Sequence, residues 1–193
     1  KNYNISQTYY YTVNKSLDSC VVLFNETSPK TYAYNFLVWS NCSSSFVLYR
    51  NGTIITNNSQ QSLGAGTWNF TVIRNDSANY TYATNSSNFV ISKAVPQGNL
   101  TNTTSWTFTY PKETNISYVE NNLGDGGVSY TIFRNNVSKG GGENITLGAG
   151  TYIYILNTTG GGNYSANASM DTKTLTISQN TSAQTSLTFD KTT

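Results

Sequence analysis

The stretch LGAGTWNFTV at residues 63–72 decides the fold, because it joins a glycine-containing turn to a strand pattern. After the turn, Trp68, Phe70 and Val72 alternate with polar residues. This alternation is typical of a β-strand that buries one face and exposes the other. The turn recurs 84 residues later as LGAGTY at residues 147–152. A repeat of this length predicts tandem structural units.

Three more sequence matches share the spacing of 84 residues. They relate Tyr49-Arg50-Asn51 to Phe133-Arg134-Asn135, Asn79-Tyr80 to Asn163-Tyr164, and Phe24 to Phe108. A later match, at residues 91–93 and 177–179, has slipped by two positions. We therefore expect two complete domains, at residues 20–95 and 96–183.

Each unit contains enough alternating segments, bounded by Gly and Asn turns, for about seven strands. In the first unit we expect strands near residues 20–25, 32–40, 45–50, 53–56, 59–63, 67–74 and 88–94. The second unit is expected to follow at +84. No window has the three-to-four spacing of an amphipathic helix. The prediction is an all-β fold of two tandem immunoglobulin-like antiparallel β-sandwich domains, although the Cys-Trp-Cys pattern of antibody domains is missing.

The composition argues against several classes of function. Charged residues make up 10% of the chain, against about 25% in an ordinary soluble protein. With 11 Lys and Arg and no basic cluster, a nucleic-acid partner is not expected. The chain has no His, which is the commonest general base and metal ligand. We therefore predict no enzyme activity, no catalytic or metal site and no cofactor, and the sequence contains no apolar run long enough for a transmembrane segment.

The chain has only two cysteines. A hairpin of the first two strands, centred on residues 28–31, places Cys20 roughly opposite Cys42. We predict a disulfide between them, with two unpaired buried thiols as the alternative. A disulfide implies an oxidising setting outside the cytoplasm, or the cytosol of a hyperthermophile. In the second unit Thr104 is expected opposite the loop at residues 124–126, without a disulfide.

The motif Asn-x-Ser/Thr, an acceptor sequon for N-glycosylation, is unusually frequent. Because 52 of 193 residues are Ser or Thr, chance would place a hydroxyl two positions after only about 7 of the 26 Asn. The chain has 19 sequons, so we predict a glycoprotein; the alternative is that turns and exposed strands simply favour these residues. The candidates are Asn4, Asn14, Asn25, Asn41, Asn51, Asn57, Asn69, Asn75, Asn79, Asn85, Asn99, Asn102, Asn115, Asn136, Asn144, Asn157, Asn163, Asn167 and Asn180.

Both ends of the sequence resemble parts of further units. Residues 1–19 resemble the last strand of a unit, and residues 184–193 resemble a first strand. One interpretation is that the sequence is a segment of a longer array. The other is that the ends are strands shared with neighbouring copies, as in β-augmentation. The residues expected to be buried between subunits are Tyr9, Tyr11, Val13, Leu187 and Phe189.

The stretches VLYRNGT at residues 47–53 and LGAGTWNFTV at residues 63–72 resemble tandem immunoglobulin-like repeats of large archaeal cell-surface proteins. The resemblance covers residues 20–183, and the second unit departs from it by lacking Gly after Asn135. It implies an extracellular, heavily N-glycosylated stalk, surface-layer component or filament. Archaeal thread-like filaments whose subunits are joined by donor strands are a similar case.

We therefore expect a structural subunit of an N-glycosylated extracellular filament at the cell surface, assembled head to tail, with donor-strand exchange as one possible linkage. Its partners would be copies of itself and covalent N-linked glycans. Two alternatives stay open: an adhesin or glycan-binding module, for which the 15 Tyr and 3 Trp would supply aromatic contacts, and the stalk of a surface-layer protein. A binding module would present a row of exposed aromatic side chains free of sequons.

Overall fold

The computed structural model describes residues 1, 3–17, 19–124 and 126–182. Backbone contacts divide the chain into two compact units, Lys1–Ser92 and a second that begins at Lys93. All regular secondary structure within the described residues is β-strand. The predicted all-β fold is therefore confirmed.

The described residues of the first unit form eight strands in two sheets. A three-stranded sheet has the order β1-β3-β6, and a five-stranded sheet has the order β2-β8-β7-β4-β5. All neighbours are antiparallel except β2 and β8. The strands are β1 (Val21–Phe24), β2 (Lys30–Thr31), β3 (Asn35–Asn41), β4 (Val47–Arg50), β5 (Thr53–Ile55), β6 (Ser59–Ser62), β7 (Gly66–Arg74) and β8 (Ala83–Ser92).

The second unit repeats this arrangement. Its three-stranded sheet has the order β14-β11-β9 and its five-stranded sheet the order β10-β16-β15-β12-β13, with β10 parallel to β16. The strands are β9 (Gly98–Asn102), β10 (Thr107–Thr109), β11 (Glu113–Glu120), β12 (Tyr130–Arg134), β13 (Val137–Ser138), β14 (Glu143–Thr146), β15 (Gly150–Thr158) and β16 (Asn167–Ser178). Both units are thus immunoglobulin-like sandwiches of two sheets, as predicted.

The core of the first unit is a cluster of phenylalanines between the two sheets. The repeated stretch forms β7, in which Phe70 and Val72 are fully buried. The rings of Phe36 in β3 and Phe89 in β8 stack with their centroids 3.9 Å apart. Phe24 from β1 packs edge-on against Phe70. The alternation seen in the sequence therefore marks the buried face of each strand.

The core of the second unit contains a polar group where the first has only aromatic carbon. Tyr154 takes the position of Phe70 and is completely buried. Its hydroxyl donates to Glu143 Oε1 at 2.6 Å, and Arg134 Nη1 lies 3.0 Å from the same oxygen. Burial and the Glu143 carboxylate raise the pKa of Tyr154. The hydroxyl therefore stays protonated and acts as a donor.

The expected +84 spacing is wrong for the first two long strands of the second unit. The pair Val21–Asn41 in the first unit corresponds to the pair Asn99–Val119 in the second, so these strands are related by +78 instead. Counted between equivalent positions, the connection from β11 to β12 is six residues longer than the connection from β3 to β4, which raises the spacing from 78 to 84. The sequence match of Phe24 with Phe108 was therefore coincidental, since Phe108 lies in β10. From β4 onward the spacing of 84 holds, and it becomes 86 in the last strand.

Candidate assembly and glycosylation sites

Cys20 and Cys42 form the predicted disulfide. The antiparallel register of β1 and β3 pairs Val21 with Asn41, so that the two cysteines lie opposite each other just beyond this pair. Their Cα atoms are 4.5 Å apart, and Cys20 is buried in the core. The disulfide thus fastens β1 to β3, and it is typical of proteins outside the cytoplasm.

In the second unit, Gly98 and Glu120 occupy the positions of the two cysteines. The prediction that Thr104 lies opposite residues 124–126 is wrong. Thr104 instead bonds through its hydroxyl to Asn102 Oδ1 at 3.0 Å. A Cβ at position 98 would lie 2.9 Å from Met170 Cε, so this position is packed closely without a side chain.

The N-terminal segment, residues 9–15, contains the apolar residues that were predicted to lie between subunits. Tyr9 is 67% exposed, Tyr11 is 87% exposed and Val13 is 92% exposed. None of the described residues before β1 lies in a strand, although Ser16 forms an isolated bridge. Their burial against another subunit stays a prediction. Leu187 and Phe189, the other two residues, lie outside the described residues.

Ser16, which directly follows the N-terminal segment, hydrogen-bonds to the loop between β7 and β8. Its backbone N–H donates to the Asn79 carbonyl at 2.8 Å, and its carbonyl accepts from the Thr81 N–H at 3.1 Å. The adjacent Lys15 Nζ donates to Asp76 Oδ2 at 2.5 Å. This hydrogen bond lowers the pKa of Asp76. The loop between β7 and β8 therefore holds the chain in place shortly before β1 begins.

A buried arginine supports this loop from inside the unit. Arg74, at the end of β7, is only 1% exposed. Its guanidinium donates to the Thr81 carbonyl and lies 5.0 Å from the centre of the Tyr80 ring. The contact positions Tyr80, which forms the isolated bridge to Ser16, and Thr81, whose N–H donates to the Ser16 carbonyl. A buried Arg that bonds to a loop carbonyl favours one loop conformation.

The second unit receives its own leading segment in the same way. The Ala94 N–H donates to the Asn163 carbonyl at 2.9 Å, and the Ser165 N–H donates to the Ala94 carbonyl at 2.9 Å. Lys93 Nζ reaches the loop at the Gly161 carbonyl, 2.6 Å away. Ser16 and Ala94 are thus equivalent positions. The repeated pairs Asn79-Tyr80 and Asn163-Tyr164 lie in the loops that bind Ser16 and Ala94. The sequence repeat alone did not reveal this role.

All 19 sequon asparagines lie within the described residues, and none of them is buried. Asn69, which lies within β7, points to solvent and is exposed. The four that are half-buried are Asn102, Asn157, Asn163 and Asn167. The surface therefore presents every candidate, while their modification stays a prediction.

The candidates differ in whether their amide nitrogen, the atom that carries a glycan, is already engaged. Asn102 Nδ2 donates to the Ser105 carbonyl at 2.7 Å, and Asn163 Nδ2 donates to the Gly124 carbonyl at 2.9 Å. By contrast, Asn25 and Asn57 use only their side-chain oxygens, as acceptors for backbone N–H groups. Contacts through the side-chain oxygen persist when Nδ2 carries a glycan. Asn25 and Asn57 are therefore better placed for glycosylation than Asn102 and Asn163.

Three other kinds of feature concern the described part of the chain: metal-binding clusters, rows of exposed aromatic side chains and membrane-spanning helices. No cluster of three or more His, Cys, Asp or Glu side chains there could hold a metal ion. Apart from Tyr3 and the tyrosines of the N-terminal segment, the well-exposed tyrosines in that part are Tyr34, Tyr82 and Tyr110, which lie in separate loops and form no aromatic row. None of the described residues belongs to a helix that could cross a membrane.

Comparison of the sequence with protein-family models and with curated proteins gives no match. Among solved structures, the chain is similar to fibronectin(III)-like modules of Clostridium thermocellum CbhA. That alignment covers 88% of this chain and 100% of the other, with 10% sequence identity and a TM-score of 0.35.

Proposed function

We propose that this chain is a structural subunit of an N-glycosylated extracellular filament at the cell surface. Copies join head to tail, and the N-terminal segment of one copy adds a strand to a sandwich of the next. The subunit has a mechanical function and needs neither a metal nor a cofactor. Its partners are other copies of the same chain.

The register of the N-terminal segment carries this proposal. Since Ser16 is equivalent to Ala94, counting backwards aligns Val13 with Ile91 and Tyr11 with Phe89. Phe89 and Ile91 are core residues of β8, with 0% and 2% exposure. The N-terminal segment therefore has the inward-facing pattern of a last strand, while its own chain leaves that pattern exposed.

The size of the exposed apolar surface makes strand addition favourable. Full burial of a Tyr or Val side chain stabilises by about 1.5–3 kcal/mol, so two such residues supply about 3–6 kcal/mol. Backbone hydrogen bonds to a sheet edge fix the direction and register of the added strand.

The alternation of the N-terminal segment provides a matched test. The inward-facing double variant Tyr11→Ser/Val13→Ser removes the apolar contacts and should weaken association about 10²- to 10⁴-fold. The outward-facing double variant Tyr10→Ser/Thr12→Ser leaves the inward face intact and should assemble normally. Electron microscopy and sedimentation of each secreted chain give the polymer length. Equal polymer length in the two double variants would refute the proposal.

The glycan part of the proposal has a separate test. The polypeptide alone has a mass of 21.2 kDa, so an intact mass well above this value is expected for the native protein. An intact mass equal to that of the bare polypeptide would refute the proposed glycosylation. It would not bear on strand addition, which the assembly experiment tests separately.

A further inference from the structure

A shallow hollow lies on the outer face of the five-stranded sheet in the second unit. It has a volume of about 240 Å³, and its lining combines apolar side chains with two sequon asparagines. The lining residues are Phe133, Asn136, Ile155, Asn157 and Ala168. An apolar floor with a few polar groups is the usual composition of a small-ligand site.

The β12–β13 hairpin places one of these asparagines at the rim of the hollow. Phe133 pairs across the hairpin with Ser138, the hydroxyl residue of the Asn136 sequon. The two turn residues, Asn135 and Asn136, have φ angles of 47° and 66°, as a type I′ turn requires. The turn thus brings Asn136 back towards the face that carries the Phe133 ring.

The turn also assigns different tasks to its two asparagines. Asn135 Oδ1 accepts the Ile153 backbone N–H at 2.8 Å, and this contact fastens the hairpin to β15. Asn136 is exposed, and its side chain makes no hydrogen bond to any of the described residues. Its Nδ2 can therefore carry a glycan without breaking a contact of the fold.

We infer that the hollow holds the first sugar of a glycan attached to Asn136. The inference rests on the proposed glycosylation and specifies what one glycan does. The apolar face of the sugar ring packs on Phe133 and Ile155, because C–H groups on that face are as poorly hydrated as the aromatic ring beneath them. The half-buried Asn157 offers its side-chain oxygen as an acceptor to the hydroxyls of the sugar, a contact that does not require the Nδ2 atom of this second sequon asparagine.

Attachment makes such a weak contact effective. A ligand tethered by a short linker has an effective concentration in the millimolar range or above, so a contact too weak for a free sugar is populated by an attached one. Because the contact exists only in the folded hairpin, it adds to the stability of the second unit.

The test is a thermodynamic cycle in the protein secreted by an N-glycosylating host. Ser138→Ala abolishes the sequon while keeping Asn136, and Asn136→Gly abolishes it with a residue that tolerates the positive φ, as Gly52 does in the first unit. Phe133→Ala is combined with each of them. Phe133→Ala should raise the unfolding equilibrium constant of the second unit. We expect this rise to be about 3- to 10-fold larger when Asn136 carries a glycan than when its sequon is absent.

Ile153→Ala is the matched control, because Ile153 lies on β15 next to β12, on the strand that also carries Ile155, and is 48% exposed but does not line the hollow. Its effect should be the same with and without the Asn136 sequon. Equal effects of Phe133→Ala in the two backgrounds would overturn the inference. So would peptide mapping that finds Asn136 bare while other sequons are occupied, whereas bare asparagines at every sequon would instead refute the proposed glycoprotein.

Discussion

Removal of the Cys20–Cys42 disulfide should destabilise one unit and leave the other unchanged. The bridge closes a loop with a sequence separation of 22 residues, and a loop of this size corresponds to about 3 kcal/mol of lost unfolded-state entropy. For a unit the size of Lys1–Ser92, each kcal/mol moves the melting temperature by about 4–8 °C. The double variant Cys20→Ala/Cys42→Ala is therefore expected to lower the melting temperature of the first unit by about 12–24 °C.

The second unit is an internal reference, because Gly98 and Glu120 stand where the first unit has its cysteines. Hydrogen exchange with peptide-level mass spectrometry reports the opening of each unit separately in the same sample. Faster exchange should be confined to β1–β8, and wild-type protein treated with a reductant should behave like the double variant. If both units lose protection equally, or if the first unit keeps its stability, the loop-closure argument is refuted.

Two further predictions concern polar contacts. Tyr154→Phe, which copies Phe70 of the first unit, removes the donor to Glu143 and should lower the urea-unfolding free energy of the second unit by about 1.5–3 kcal/mol; a loss below about 0.5 kcal/mol would contradict this. Because the Lys15 hydrogen bond lowers the pKa of Asp76, that contact is complete above the ordinary Asp pKa and is lost as pH falls through the lowered value. Carboxyl NMR titration should find a higher Asp76 pKa in Lys15→Met, and an unchanged value would show that Lys15 is not its cause.

The sequence was a good guide wherever local pattern decides structure. The alternation of Trp68, Phe70 and Val72 correctly predicted a strand with one buried face, and the hairpin argument correctly placed Cys20 opposite Cys42. Both predictions depend only on the period of a strand and on the pairing of its neighbour. Neither requires knowledge of how distant parts of the chain meet.

Prediction failed where loop length or a non-local contact decides. The +84 spacing misplaced the early strands of the second unit, since loops change length at little energetic cost while strands keep their register. The bridge between Ser16 and Tyr80 joins residues far apart in the sequence, and no local pattern announces it. The sequence predicted that Tyr11 and Val13 are buried between subunits, which stays a prediction, and the equivalence of Ser16 and Ala94 aligns them with Phe89 and Ile91 of β8.

The sheet edges connect the unusual composition to the proposed assembly. Exposed edge strands invite unwanted pairing, and proteins commonly protect them with charged residues or proline. This chain has few charges, yet six of the eight edge strands in the described sheets contain or adjoin a sequon: β1, β5, β6, β9, β13 and β14. The other two, β2 and β10, are at most three residues long and lie close to Pro29 and Pro111. In the proposed glycoprotein, glycans would therefore protect these sheet edges in place of charged side chains. Such protection would restrict the exposed N-terminal segment to pairing with one specific edge of a neighbouring copy.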